Sequence, residues 1–228
     1  MALQLEKSVF FHIPKTGGSW VRKALKQAGL SRGELGCNWH AGIQNLPNHI
    51  CEHNKFHEVN CDGLFTFAFV RHPVSFYISY WCFKMKRGWT SNLDKRTQSE
   101  DFSIFVDKMI EDNDEGLVSH SYWRYLGLRI HLLDKIGRQE YLCEDLISIL
   151  QYAGEFFDPD VIRSVAPTNV ASQDPEWYQH VRLTSAIVQK IEQHEKWAMD
   201  ALQYDSWEEN VTAQHCRPIP LVHVTAAT

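Results

Sequence analysis

The residues best able to do chemistry in this 228-residue chain lie near its start, in the run His12-Ile13-Pro14-Lys15-Thr16-Gly17-Gly18-Ser19-Trp20. A lysine, two hydroxyls and a glycine pair sit between an apolar run, Ser8 to Ile13, and a segment where Trp20, Val21, Ala24, Leu25 and Ala28 recur with helical spacing. This reads as a strand, a tight loop and an amphipathic helix, with Pro14 and the glycines ending the strand and Gly29 stopping the helix. A loop passing from a buried strand into a helix N-terminus offers backbone N–H groups and the positive end of the helix dipole to an anion. Gly17 and Gly18 let the backbone close around an oxyanion, and Lys15 reaches a bridging or terminal oxygen. Thr16 and Ser19 add hydroxyls, and the N–H groups of the turn through Trp20 complete the cradle. The same residues also suit an ordinary strand-to-helix turn with a surface lysine.

A second strand, Phe65 to Val70, runs into Arg71-His72-Pro73 and an aromatic-rich helix ending near Gly88, with Pro73 suited to its first turn. Arg71 offers a planar fork of donors for a phosphate, and Ser79 stands eight residues further on. A third strand is expected over Glu140 to Cys143, with Asp145 capping the apolar stretch Leu146 to Tyr152. Strands alternating with helices predict an α/β fold built on a parallel sheet. Helices are expected over Asp101 to Glu111, Gly116 to Leu126 and, as one long element, Thr184 to Leu202. Cys37 to Asp62 reads as loops and short helices, Arg87 to Glu100 as a polar excursion, and no repeat is found.

The order Pro-Lys-Thr-Gly-Gly-Ser differs from the nucleoside-triphosphate loop, whose lysine follows its last glycine and whose hydroxyl holds magnesium. It resembles instead the 5′-phosphosulfate loop of sulfotransferases that use 3′-phosphoadenosine 5′-phosphosulfate (PAPS), in the His-Ile-Pro-Lys-Thr-Gly-Gly form of carbohydrate and bacterial members. The arginine at a strand end with a serine eight residues on, here Arg71 and Ser79, is similar to that family's 3′-phosphate grip. Tyr141-Leu142-Cys143-Glu144-Asp145-Leu146 and Thr168-Asn169-Val170-Ala171-Ser172 are weaker matches, and Glu144 is read as a structural partner. The resemblance runs from Phe10 to about Trp207, with only the first two motifs specific. It implies a three-layer α/β/α domain with a central parallel sheet, like that of P-loop nucleotide kinases, over residues 1–228. It also implies sulfuryl transfer from PAPS to an acceptor hydroxyl, a carbohydrate favoured, with no metal required.

Such a transfer needs charge stabilisation at the leaving oxygen, assigned to Lys15, and a base for the acceptor proton. Trp39-His40-Ala41-Gly42-Ile43 is similar to a His-Ala-Thr stretch whose histidine serves as base in carbohydrate-type members, which points to His40; His57 and His72 are its rivals. The set Cys37, His40, Cys51, His53, His57 and Cys61 is alternatively a zinc site, although its spacing fits no finger pattern. Two other activities compete: phosphotransfer from ATP through the same loop, and nucleotide binding without catalysis.

A net charge of −5 argues against a nucleic-acid-binding surface and leaves room for a local basic pocket. With 44% hydrophobic residues the chain has ample material for a core. Glu6 and Lys7 interrupt any leader, and no apolar run reaches membrane-spanning length, so a soluble cytoplasmic chain is expected. The six cysteines are read as free thiols and the sequon Asn210-Val211-Thr212 as chance.

Overall fold

A computed structural model of the chain describes residues 2–35, 61, 63–126, 133–168 and 175–207. Its strands are β1 (Ala2–Gln4), β2 (Ser8–Phe11), β3 (Gly33–Leu35), β4 (Phe65–Val70) and β5 (Lys135–Arg138). The helices are α1 (Gly18–Gln27), α2 (Pro73–Arg87), α3 (Asn92–Thr97), α4 (Phe102–Asp112), α5 (Leu117–Leu126), α6 (Leu142–Tyr152), α7 (Pro159–Arg163), α8 (Pro175–Tyr178), α9 (Ser185–His194) and α10 (Lys196–Ala201). The described residues fall into two compact units, the first drawn from 1–70 and 122–168, the second from 71–121 and 169–219.

The first unit holds one sheet of order β3-β1-β2-β4-β5. β2, β4 and β5 run parallel, with Phe11 opposite Ala68 and Val70 opposite Arg138, whereas β1 is antiparallel to both β2 and β3. The α/β class is as expected, and the sheet is mixed rather than wholly parallel. Strands as short as β1 and β3 carry too few residues for a period-2 signal, and pairing alone makes them strands. On one face Phe10, Phe67 and Phe69 pack with Trp20, Val21 and Leu25 of α1 and with Leu146, Ile149 and Leu150 of α6. Each such side chain contributes about 1.5–3 kcal/mol on leaving water. At the start of β2, the buried Glu155 carboxylate accepts hydrogen bonds from the Lys7 N–H and the Ser8 hydroxyl, both at 2.8 Å.

The strand expected at 140–143 is corrected by the structure. The third parallel strand is Lys135–Arg138; Gln139–Tyr141 form a 3-10 turn, and Leu142 and Cys143 already belong to α6. Two cationic residues in four mask β5 in the sequence. They are accommodated because the sheet buries both while the Lys135 ammonium lies 4.8 Å from the Tyr152 ring centroid, over a face that attracts cations.

In the second unit, Tyr77 and Trp81 of α2 meet Phe105 and Phe102 of α4 at ring-centroid distances of 6.2 and 5.7 Å. Two fully buried carboxylates organise its polar groups. Asp94 accepts from the Lys84 ammonium (2.7 Å), the Tyr80 hydroxyl (2.8 Å) and the N–H groups of Thr90 and Ser91 (3.2 and 2.8 Å). Burial pushes this carboxyl up, but Lys84, Ser91 and Tyr80 outweigh it and hold the group at about 2. It closes a capping box with Ser91, so the expected polar excursion contains α3.

Glu195 divides the expected long C-terminal helix into α9 and α10. Its side chain accepts from the Tyr77 hydroxyl (2.9 Å), the Val118 and Ser119 N–H groups (3.0 and 2.8 Å) and the Ser119 hydroxyl (2.8 Å). An anion thereby meets the N-terminal amides of α5 and completes their hydrogen bonding. Glu195→Ala strands four buried donors, at a cost of about 1–3 kcal/mol for each that stays unsatisfied. Urea denaturation of this variant should show a loss of at least about 3 kcal/mol; a loss below about 1 kcal/mol would remove Glu195 from its organising role.

Candidate functional site

Parallel α/β sheets offer binding sites beyond the carboxyl ends of their strands, and β2 ends there in residues 12–17. The His12 ring is buried and stacks on Phe10, with centroids 6.1 Å apart and planes inclined by 19°. It lies so close to Gly18 that a Cβ there would stand 1.9 Å from His12 Cδ2 and 2.3 Å from Nε2, so the ring or the loop would have to shift to admit one. Lys15 (φ 70°) and Gly17 (φ 84°) both occupy the left-handed region. For a lysine this conformation costs about 1–2 kcal/mol, so the surrounding turn holds it there. A Cβ on Gly17 would also press to 2.7 Å from Leu142 Cδ2 and 3.3 Å from Gln139 Cγ, the residues that follow β5.

Thr16 is fully buried and its hydroxyl donates to the Ile13 carbonyl at 2.9 Å, so this side chain pins the loop from inside. Ser19 is exposed at the start of α1. Trp20 is buried; its indole N–H donates to the Val165 carbonyl at 3.2 Å, and its backbone N–H and that of Val21 return to the Gly17 carbonyl at 2.9 and 3.2 Å. No side chain caps α1 and no acidic residue stands in its first turn. Among the described residues the positive end of α1 therefore carries no acidic neighbour in its first turn, and Lys15, half-buried, stands three residues before it.

The turn after β5 is built around Asp145. Its carboxylate accepts from the Arg138 N–H at 2.6 Å, and burial outweighs that bond and the nearby arginine charge, raising its pKa to about 6. Asp145 thus closes the β5–α6 turn instead of capping the helix as expected. Glu144 pairs with Arg163 through two hydrogen bonds of 3.0 Å, which lowers its pKa and agrees with its structural reading.

Within the second unit, Arg71 follows the last residue of β4 and is half-buried, its Nε–H donating to the Ser75 hydroxyl at 2.8 Å. The Ser75 hydroxyl donates in turn to the His72 carbonyl at 3.1 Å. His72 is buried and is the N-cap of α2: its Nδ1 accepts from the Val74 N–H at 3.2 Å and its Nε2 lies 3.2 Å from the Asp205 carbonyl. Tyr204 and Trp207 flank its ring at 5.2 Å each. Ser79 lies two turns into α2 and is half-buried.

No family model, curated protein or solved structure matches this chain. His40 and His57 lie outside the described residues, as do all of the proposed zinc ligands except Cys61 and most of the segment 168–172. Among the described residues Cys61, Cys82 and Cys143 are free thiols, and no group of three or more metal-ligating side chains occurs. No described helix is long and apolar enough to cross a membrane.

Three features at these loops escaped the sequence reading: the His12 ring over Gly18, the Ser75 link to Arg71, and Arg138, buried at the carboxyl end of β5. Only the second left a local trace, a serine one turn beyond the arginine. Gly18→Ala should reduce stability by about 1–3 kcal/mol through overpacking. A cycle with His12→Ala, which removes the opposing ring, should recover most of that cost; an equal penalty in both backgrounds would refute the His12 contact. The Asp145 shift has its own test. A carboxyl whose folded pKa lies above its unfolded value favours folding most below about pH 4, and that contribution disappears as pH rises through about 6. Asp145→Asn should then melt above the parent at pH 7.5 and lose this advantage at pH 4, whereas parallel profiles would contradict the shift.

Proposed function

We propose that this chain is a PAPS-dependent sulfotransferase with a three-layer α/β/α fold of the P-loop nucleotide-kinase kind. The observation that carries this reading is the 12–20 loop: a left-handed Lys15 and the Gly17-Gly18 pair lead from a parallel strand into a helix with no side-chain cap and no acid in its first turn. Such a turn fits the doubly charged 5′-phosphosulfate end of the donor. Strain held at a lysine is itself a common mark of ligand-gripping turns.

Lys15, Gly17, Gly18, Ser19 and the backbone of Thr16 are assigned to the 5′-phosphosulfate, and Arg71 and Ser79 to the 3′-phosphate; Trp20, expected to add its N–H, gives it to the Gly17 carbonyl and supports the turn instead. The donor supplies a sulfuryl group: its sulfur–oxygen bond breaks as the acceptor hydroxyl oxygen bonds sulfur, the electron pair remaining on the departing phosphate and the acceptor proton passing to a base. Lys15 meets the charge growing on that phosphate oxygen, and His40 takes the proton. The acceptor class favoured is a carbohydrate hydroxyl.

ATP-dependent phosphotransfer is the alternative enzyme reading, and Thr16 speaks against it. A triphosphate loop asks its Ser/Thr hydroxyl to hold magnesium, whereas the Thr16 side chain is fully buried and given to Ile13. Non-catalytic nucleotide binding is the other alternative.

Thermal shift with adenosine 3′,5′-bisphosphate, ATP and GTP, each with and without magnesium, separates these readings. The bisphosphate alone should raise the melting temperature, by about 2.7 kcal/mol of added stability at a hundredfold excess over Kd, and Lys15→Ala and Arg71→Ala should each abolish the shift. Greater stabilisation by magnesium-ATP would replace the sulfotransferase reading with phosphotransfer. His40→Ala should keep bisphosphate binding and lose turnover; retained turnover would move the base elsewhere.

A further inference from the structure

Arg71 does not leave β4 as an unconstrained side chain. Its Nε–H donates to Ser75 Oγ at 2.8 Å, and the Ser75 hydroxyl donates to the His72 carbonyl at 3.1 Å. That donation turns the oxygen lone pairs toward the arginine. Ser75 is only 8% exposed, so water competes poorly for either bond. The carbonyl at the end of this chain is itself fixed: His72 caps α2 through Nδ1, contacts the Asp205 carbonyl through Nε2 and is flanked by Tyr204 and Trp207.

We infer that Ser75 is a positioning residue for anion recognition by Arg71, setting the plane in which the guanidinium meets a phosphate. The guanidinium is rigid and planar, so fixing Nε fixes the direction of the Nη1–Nη2 edge. A nucleotide carrying a 3′-phosphate is the ligand class selected, and in this the inference rests on the donor reading above. The geometry further separates the two serines of α2: Ser79 is the assigned phosphate contact, whereas Ser75 acts through the arginine.

Isothermal titration with adenosine 3′,5′-bisphosphate and with adenosine 5′-monophosphate tests this, because the two ligands differ only in the 3′-phosphate. Ser75→Ala should weaken the bisphosphate about tenfold, the scale of one hydrogen bond to a charged group, and leave the monophosphate unchanged. Ser75→Thr, which keeps the hydroxyl, should restore most of the loss. In an Arg71→Ala background, Ser75→Ala should add nothing further. Equal weakening of both nucleotides by Ser75→Ala would reduce the residue to a structural role and overturn the inference. So would an unchanged bisphosphate affinity in a protein that Arg71→Ala does weaken. Should Ser75→Ala fail to fold, Ser75→Cys, a close isostere with weaker hydrogen bonding, carries the same comparison. If the unsubstituted protein binds both nucleotides equally, the donor reading itself fails and this inference falls with it; that result is distinguishable because it appears before any substitution is made.

Discussion

The imidazole of His12 and the backbone of Gly18 share a space that leaves no room for a Cβ, and the shape of the 12–18 turn follows from that exclusion. His12 stacks on Phe10 of β2, which holds its ring against the sheet. The chain must then climb over the ring and enter α1 within six residues, which it does by taking Lys15 and Gly17 through the left-handed region. Thr16, between them, turns inward and spends its hydroxyl on Ile13. What remains on the outside of the turn is a lysine, a bare helix N-terminus and backbone N–H groups, the set that suits an oxyanion.

Elsewhere the fold relies on buried carboxylates that end helices and bind loops. Glu155 fastens the start of β2, Asp94 closes the turn into α3, and Glu195 meets the first amides of α5. Each is surrounded by N–H and O–H donors, and Asp94 also by an ammonium, so the desolvation cost of the charge is met by hydrogen bonds aimed at it. Asp145 is the contrasting case: with the Arg138 N–H as its donor, burial prevails and raises the carboxyl to about 6. The difference in donor supply, more than in depth, separates the two behaviours.

These anchors also explain how basic side chains come to be ordered near the ends of strands. Arg71 reaches its orientation through Ser75 and the His72 carbonyl, and His72 is in turn held by the segment 204–207. Such a chain of fixed groups confers preorganisation, which spares a binding step the entropy of ordering a long side chain.

The local units were legible from residue order: the β2–loop–α1 run, the β4 strand passing into α2 at Pro73, and helices close to α4 and α5, because periodicity, Pro and Gly act over a few residues. Residue order also singled out Lys15, Gly17, Gly18 and Arg71 as residues able to meet an anion. The remainder came from packing and pairing in three dimensions. β1 and β3 exist through pairing alone, and β5 is a strand despite Lys135 and Arg138 because β4 and the Tyr152 ring receive it. The Glu195 carboxylate interrupts an otherwise continuous helical pattern to serve amides 76 and 77 residues away. The inward turn of Thr16 and the His12–Gly18 exclusion likewise depend on where atoms lie in three dimensions. Spacing along a chain reveals which groups are available for chemistry; packing decides which of them face outward to perform it.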